Sequence, residues 1–180
     1  MLGVFKDFPV FANATADFTW STHFGVLQEA VFKTANDLNG QEFDLKVIMP
    51  TEVSCRIGFE FGVAEDASFN YLDSEEIERF RKILSKSEFL PCVDFLCIIK
   101  YYAINGDKRQ PLRFDNYLLR FIFQKPLVHL RVFHEKGTQR LPIEELIKFL
   151  TRRISAELER TQAPPLRLRS LMHPVPIEKL

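Results

Sequence analysis

Two consecutive apolar segments near the middle of the chain restrict its fold most strongly. From Cys92 to Ile104 and from Leu112 to Phe123, apolar residues occupy both parities of the strand alternation. Successive side chains of a strand point to opposite faces, so a strand of this kind is covered on both faces of its sheet. The turn signal Asn105-Gly106-Asp107 between the segments predicts a β-hairpin. The centre of the fold is therefore expected to be an antiparallel sheet.

Helical periodicity appears in three places around this hairpin. Apolar residues recur every three or four positions in residues 22–38, 73–86 and 142–160. The second segment begins with Asp73-Ser-Glu-Glu76, a sequence typical of a helix N-terminal cap. The third carries the longest continuous apolar stripe, so we expect the C-terminal helix to pack on the sheet.

Further strands are predicted before and after the central hairpin. Residues 53–63 alternate strictly between apolar and polar side chains, which predicts a half-buried strand paired with residues 43–49. Residues 128–132 alternate in the same way, and a short strand is expected within residues 1–12. The predicted fold class is α+β, with a mainly antiparallel sheet of about five or six strands and three helices.

Length and composition predict one domain. The chain has 180 residues, of which 46% are apolar and 27% charged, enough for a hydrophobic core and too apolar for a disordered chain. Residues 1–160 are expected to form a single α+β domain, and the proline-rich residues 161–180 an extended tail.

Several features indicate a cytoplasmic protein without a membrane span. No run of about 18 apolar residues is present, and the N-terminal residues do not resemble a secretory signal. The cysteines, Cys55, Cys92 and Cys97, are odd in number and lack a CxxC spacing. A reducing compartment is therefore favoured over a disulfide framework.

No catalytic motif is found. The seven glycines form no phosphate-binding loop, and no GxSxG or HExxH sequence occurs. His129 and His134, the best metal candidates, are five residues apart on a predicted strand and project to opposite faces. Glu42, Asp44 and Lys46 are typical of a solvated strand edge. The sequence therefore favours a non-enzymatic protein with no cofactor and no metal.

Charge is divided unevenly along a chain whose formal net charge is zero. Residues 1–78 carry 14 acids and 4 bases, a net charge of −10, and residues 79–180 carry 20 bases and 10 acids, a net charge of +10. Such asymmetry is compatible with a nucleic-acid surface, with an oriented protein partner, or with internal neutralisation if the halves lie side by side.

We expect a protein-interaction or assembly module that forms a homodimer through its apolar sheet. A symmetric partner would shield the face that the three helices leave open. The tail would then lie across the neighbouring subunit. The candidate interface residues are Leu119, Phe121, Phe123, Leu168 and Leu171.

Two alternatives remain open. A nucleic-acid-binding domain would use the basic hairpins of residues 108–136, where basic and aromatic side chains share strand faces. Its candidate contacts with nucleic acid or another anion are Arg113, Tyr117, Lys125, His129 and Arg131. A carrier would hold an apolar ligand in a cavity lined by some of the 18 phenylalanines.

Overall fold

Nine antiparallel strands form one sheet in the computed structural model of the chain, which describes residues 1–86 and 90–173. Their spatial order is β1-β5-β4-β6-β7-β8-β2-β9, and β3 pairs with β4 beside this row. The strands are β1 (Gly3–Val4), β2 (Ala14–Thr19), β3 (Glu42–Asp44), β4 (Arg56–Glu65), β5 (Ser68–Tyr71), β6 (Cys92–Asn105), β7 (Lys108–Gln124), β8 (Leu127–Gly137) and β9 (Arg167–Met172).

Four helices lie within the described residues: α1 (Phe24–Leu38), α2 (Leu45–Ile48), α3 (Ser74–Lys86) and α4 (Ile143–Arg160). Their apolar side chains share one core with inward-facing residues of the sheet, such as Phe59, Phe95 and Leu119. We call the face that the helices cover the helical face and the opposite one the open face. At the start of α3 the Asp73 carboxylate accepts the Glu75 and Glu76 amide hydrogens, which confirms the predicted cap.

The expectation of five or six strands and three helices was wrong. The strands that were not predicted are β2, β5 and β9, and residues 45–48, expected within the strand at 43–49, form helix α2 instead. The inward-facing residues of β2 are Ala14, Ala16 and Phe18, and β5 has one buried residue, so their alternation of apolar and polar side chains is weak. Strand β9 pairs with β2, which lies about 150 positions earlier in the chain. The α+β class and the antiparallel sheet are confirmed.

The chain's own N-terminal segment covers the middle of the open face. Residues 5–13, which we call the strap, connect β1 at one side of the sheet with β2 near the other. Phe8 and Ala12 of the strap are buried together with Leu96 of β6 and Leu118 of β7. These outward-facing residues therefore obtain cover within one chain rather than from a second subunit.

Part of the expected tail belongs to the sheet. Residues 167–172 form β9, which pairs with β2 along the outer side of the sheet. Leu166 is buried in the main core just before this strand. Residues 174–180 of the predicted tail lie outside the described residues.

Candidate interaction surface

The β6–β7 hairpin extends beyond both neighbouring strands. The pairing of β4 with β6 reaches Tyr102, and that of β8 with β7 ends at Asp115. Residues 103–114, which we call the arm, therefore pair only with each other among the strands of the described residues. A two-residue turn, Gly106–Asp107, closes the arm, and the positive φ of 61° at Gly106 suits a glycine. The arm carries three bases and one acid, a net charge of +2.

Apolar side chains continue from the arm onto the open face. Ile98, Tyr102 and Ile104 project from β6 on this face, because they share the parity of Leu96 under the strap. Phe114 lies opposite Lys100 and faces the same way. We call these four residues the apolar band. Ile104 is 38% exposed and Phe114 is 42% exposed.

Charged side chains surround the apolar band. Lys100 pairs with Glu60 at 2.5 Å, and the Arg109 guanidinium pairs with Glu42 while lying 3.7 Å from the centroid of the Tyr102 ring. The Lys136 ammonium lies 5.3 Å from the Phe114 ring centroid. An apolar centre within a polar rim is the usual composition of a protein–protein interface.

A buried carboxylate anchors the base of the arm on the helical face. Asp115 is fully buried and accepts the Tyr101 hydroxyl hydrogen at 2.7 Å. It also accepts the backbone amides of Gln139 at 2.6 Å and Arg140 at 3.1 Å, and lies 3.1 Å from His134 Nε2. Burial alone raises the pKa of Asp115, but these hydrogen bonds outweigh it and hold the pKa below its usual value.

Two tyrosines extend this network to the loop before α4. The Tyr101 hydroxyl accepts the Leu141 amide hydrogen at 3.0 Å, and the Tyr117 hydroxyl donates to the Leu141 carbonyl oxygen at 3.0 Å. Burial raises the pKa of both phenols, so they remain neutral donors. The network ties the base of the arm to the start of α4 and has a structural role.

The five candidate nucleic-acid contacts are not brought together. Arg113 is exposed on the arm, whereas Lys125 lies beyond the opposite end of β7, roughly 40 Å away along an extended strand. Tyr117 is fully buried and offers no ring for stacking. His129 Nδ1 lies 2.6 Å from Asp17, and Arg131 donates to the Val10 carbonyl oxygen of the strap at 2.9 Å.

The five candidate interface residues also separate into two groups. Leu119, Phe121 and Phe123 are at least 96% buried on the helical face, so they contribute to the chain's own core. Leu168 and Leu171 lie on β9, with Leu168 exposed and Leu171 half-buried against the core. Arg167 and Arg169 flank Leu168, and charges of this kind protect a sheet edge from adding further strands.

The cavity expected for a carrier of an apolar ligand would lie between the sheet and the helices, where several phenylalanines meet. The space between sheet and helices, lined by Phe61, Phe95, Phe121 and neighbouring residues of α1 and α4, has a volume of about 10 Å³. A volume of this size holds at most one water molecule. Among residues 1–86 and 90–173, no group of three or more histidines, cysteines or carboxylates is placed to bind a metal ion. In the same residues no helix is long and apolar enough to cross a membrane.

The sequence reasoning missed the apolar band. Ile104 and Phe114 were included in the strands, but the ends of the neighbouring strands determine whether such residues are covered. One signal was present: the predicted hairpin strands, residues 92–104 and 112–123, are longer than the predicted strands 53–63 and 128–132. Where neighbouring strands differ in length, an end of the longer strand is left without a neighbour.

Comparisons with protein-family models, with curated proteins and with solved structures found no match.

Proposed function

We propose that the chain is a non-enzymatic protein-interaction module that forms a homodimer through the open face of its sheet, around the apolar band. The observation that carries this proposal is the partial exposure of Ile104 and Phe114 on an arm that no other strand of residues 1–86 and 90–173 supports. A two-stranded ribbon is marginally stable by itself. Contact with a partner would bury its apolar side chains and hold it in place.

The charge distribution supports a second copy of the chain as the partner. Arg109 of the basic arm pairs with Glu42 of β3, and β3 and β4 belong to the half of the chain with a net charge of −10. A surface shared by two copies must be complementary to itself. Because each copy carries both signs on neighbouring strands, two copies in opposed orientation would match base to acid, and the zero net charge of the chain leaves no excess repulsion between them.

The test is the mass of the native particle, measured by light scattering after size exclusion and by native mass spectrometry. A mass of two chains is expected. Phe114→Asp is expected to give a folded monomer, because a carboxylate would be buried without a partner. Val47→Asp is the matched control, since Val47 is 62% exposed on α2, away from the band. A wild-type monomer at every concentration, or an intact Phe114→Asp dimer, would contradict the proposal.

Nucleic-acid binding by the arm is the second candidate. It is favoured by Lys108 and Arg113, which have no acidic partner among the described residues, and by Tyr102 and Phe114 on the open face beside them. Binding to a single-stranded oligonucleotide should weaken steeply with salt, and charge reversal at Lys108 and Arg113 should flatten that dependence. A binding signal with no salt dependence, or none at all, would remove this candidate.

We also propose that the protein is cytoplasmic. Cys55 and Cys97 are buried free thiols and Cys92 is an exposed one. Such an arrangement suits a reducing compartment. When protein isolated from its source is unfolded in denaturant without reductant, alkylation should label all three thiols. A disulfide in that protein would argue against this location.

A further inference from the structure

The apolar band is too small to hold two copies of the chain together by itself. From Ile98 to Ile104 it extends six residues along β6, about 20 Å, and it is two strands wide, about 10 Å. These dimensions correspond to a contact area of about 200 Å², whereas each subunit of a stable dimer buries about 800 Å². The contact surface of the proposed homodimer must therefore continue beyond the band.

The open face continues from the band toward the strap. In the other direction the arm ends at the turn Gly106–Asp107, which begins two residues after Ile104. Ile98 belongs to the band and also packs against the smaller core under the strap, which contains Leu96 and Leu118. Band and strap thus form one continuous surface, with the strap at one end and the tip of the arm at the other.

The strap presents a fully exposed apolar side chain on this surface. Val10 is 98% exposed, and its carbonyl oxygen faces the sheet instead, where it accepts a hydrogen bond from Arg131 at 2.9 Å. The buried Phe8 ring fixes the strap two residues earlier, and Phe11 leans on the Phe133 ring of its own chain at 5.4 Å. Val10 is therefore held facing solvent, so it loses little conformational freedom when a partner covers it.

We infer that in the homodimer the arm of each copy packs on the strap of the other copy. In a two-fold contact, residue i meets residue j and j meets i. Leu96 under the strap and Ile104 near the tip of the arm are eight residues apart on β6, and Phe114 lies opposite the midpoint of this span. A two-fold axis beside Phe114 brings each arm tip over the partner's strap and covers Val10 in both copies. The inference rests on the proposed homodimer and gives it an arrangement.

Charge favours this arrangement over a contact between the two arms. Each arm has a net charge of +2, so two arms facing one another would bring like charges together. The strap carries one base and one acid, Lys6 and Asp7, and its net charge is zero. An arm on a strap therefore buries apolar side chains without opposing two basic surfaces.

The test places a nitroxide spin label at the tip of the arm. Asp107→Cys carries the label in a full chain whose exposed thiol is removed by Cys92→Ser, since the other two cysteines are buried. This chain is mixed with an equal amount of isotope-labelled wild-type chain, whose backbone amide signals are recorded by NMR. Broadening is expected at residues 8–12 of the isotope-labelled chain. The same label at Val47→Cys, on α2, is the control and should leave these signals sharp.

A second measurement uses the dissociation constant of the dimer. Val10→Ser should weaken dimerisation by about tenfold or more, because the apolar contact is lost twice in each dimer. Its circular dichroism spectrum should stay that of the wild type, since Val10 contributes no buried side chain. Val47→Ser is the matched control, because Val47 is 62% exposed on α2, and its dissociation constant should equal that of the wild type.

The outcomes separate the arrangement from the homodimer itself. Broadening at residues 103–110 instead of the strap, or no broadening from the arm label, would overturn the arm–strap contact. An unchanged dissociation constant in Val10→Ser, while Phe114→Asp separates the subunits, would overturn it as well and leave the homodimer standing. A wild-type monomer at every concentration would overturn both the homodimer and its arrangement.

Discussion

At the scale of single residues, Gly137 is the glycine with the least room for a side chain. Its φ is 120°, and a Cβ there would overlap the Phe114 carbonyl oxygen and lie 2.7 Å from the Asp115 Cα. We expect Gly137→Ala to lower the free energy of unfolding by about 2–4 kcal/mol. Urea denaturation measures this change. Gly25→Ala is the control, because nothing lies within 4 Å of a Cβ at Gly25 in helix α1, and it should be neutral or stabilise by up to about 1 kcal/mol.

Asp115 couples stability to pH at the same place. The pKa of Asp115 is lower in the folded protein than its value of 3.8 in the unfolded chain. Its carboxylate therefore stabilises the fold fully above pH 3.8, and this stabilisation is lost as the pH falls through the folded-state pKa. Asp115→Asn should cost about 2–3 kcal/mol at neutral pH, and its stability should fall less steeply than that of the wild type below about pH 4. Urea titrations across this range test both statements. Asp107→Asn, in the exposed turn of the arm, is the control, and its free energy of unfolding should fall at low pH as in the wild type. An equally steep fall for Asp115→Asn and the wild type would refute the role given to Asp115.

At the scale of elements, the strap is held against the sheet in part by one aromatic ring. The Phe8 ring is buried on the open face, with the Arg120 and Arg131 guanidinium carbons 4.9 Å and 5.3 Å from its centroid. Arg120 is itself fixed by two hydrogen bonds to Asp94, at 2.7 Å and 2.8 Å. The position of the strap thus depends on packing, on cation–π contact and on side-chain hydrogen bonds such as that from Arg131 to the Val10 carbonyl oxygen, rather than on strand pairing.

We expect Phe8→Ala to destabilise the protein by about 3 kcal/mol and to expose Leu96 and Leu118. Faster hydrogen exchange in residues 5–13 and increased binding of a hydrophobic dye would report this exposure. Phe11→Ala is the matched control, since Phe11 is 61% exposed and contacts Phe133 only edge to face. Its effect should stay below about 1 kcal/mol. Equal effects of the two substitutions would show that the strap is not held by Phe8.

At the scale of the whole molecule, the two faces of the sheet differ in what they bury. The helical face holds the main core, and the open face holds a smaller core under the strap with the apolar band beside it. Interface residues expected on the apolar sheet are therefore divided between an inaccessible interior and an accessible surface.

Aspartate substitutions should distinguish these two locations. Phe121→Asp or Leu119→Asp should prevent cooperative folding, at a cost of about 4 kcal/mol or more, because the carboxylate would lie between sheet and helices. Circular dichroism during heating measures the loss of the transition. Phe114→Asp, on the arm, should keep a cooperative transition. A soluble, folded Phe121→Asp monomer would instead restore the original expectation that this residue forms an interface.

The sequence by itself determined the elements whose signals repeat along the chain. Residues 143–160 and 74–86 form helices as predicted, because a stripe every 3.6 residues is a local property that survives without knowledge of the neighbours. The central hairpin and its turn follow from two apolar strands and a glycine at a position of positive φ. Apolar residues on both parities of a segment also indicate that both faces of the strand are buried.

Only the tertiary structure decided what supplies that cover. The strap shields Leu118, while helices α1 and α4 shield Leu119, and no pattern within β7 distinguishes these two neighbours. Tyr117 had the alternation of an exposed aromatic residue, yet its partner is the Leu141 carbonyl oxygen, 24 positions later. Strands β5 and β9, and the free arm, likewise depend on where other segments of the chain lie. Burial is a relation between parts of the chain that are far apart in sequence, so local patterns predict that a side chain is apolar but not which surface, if any, covers it.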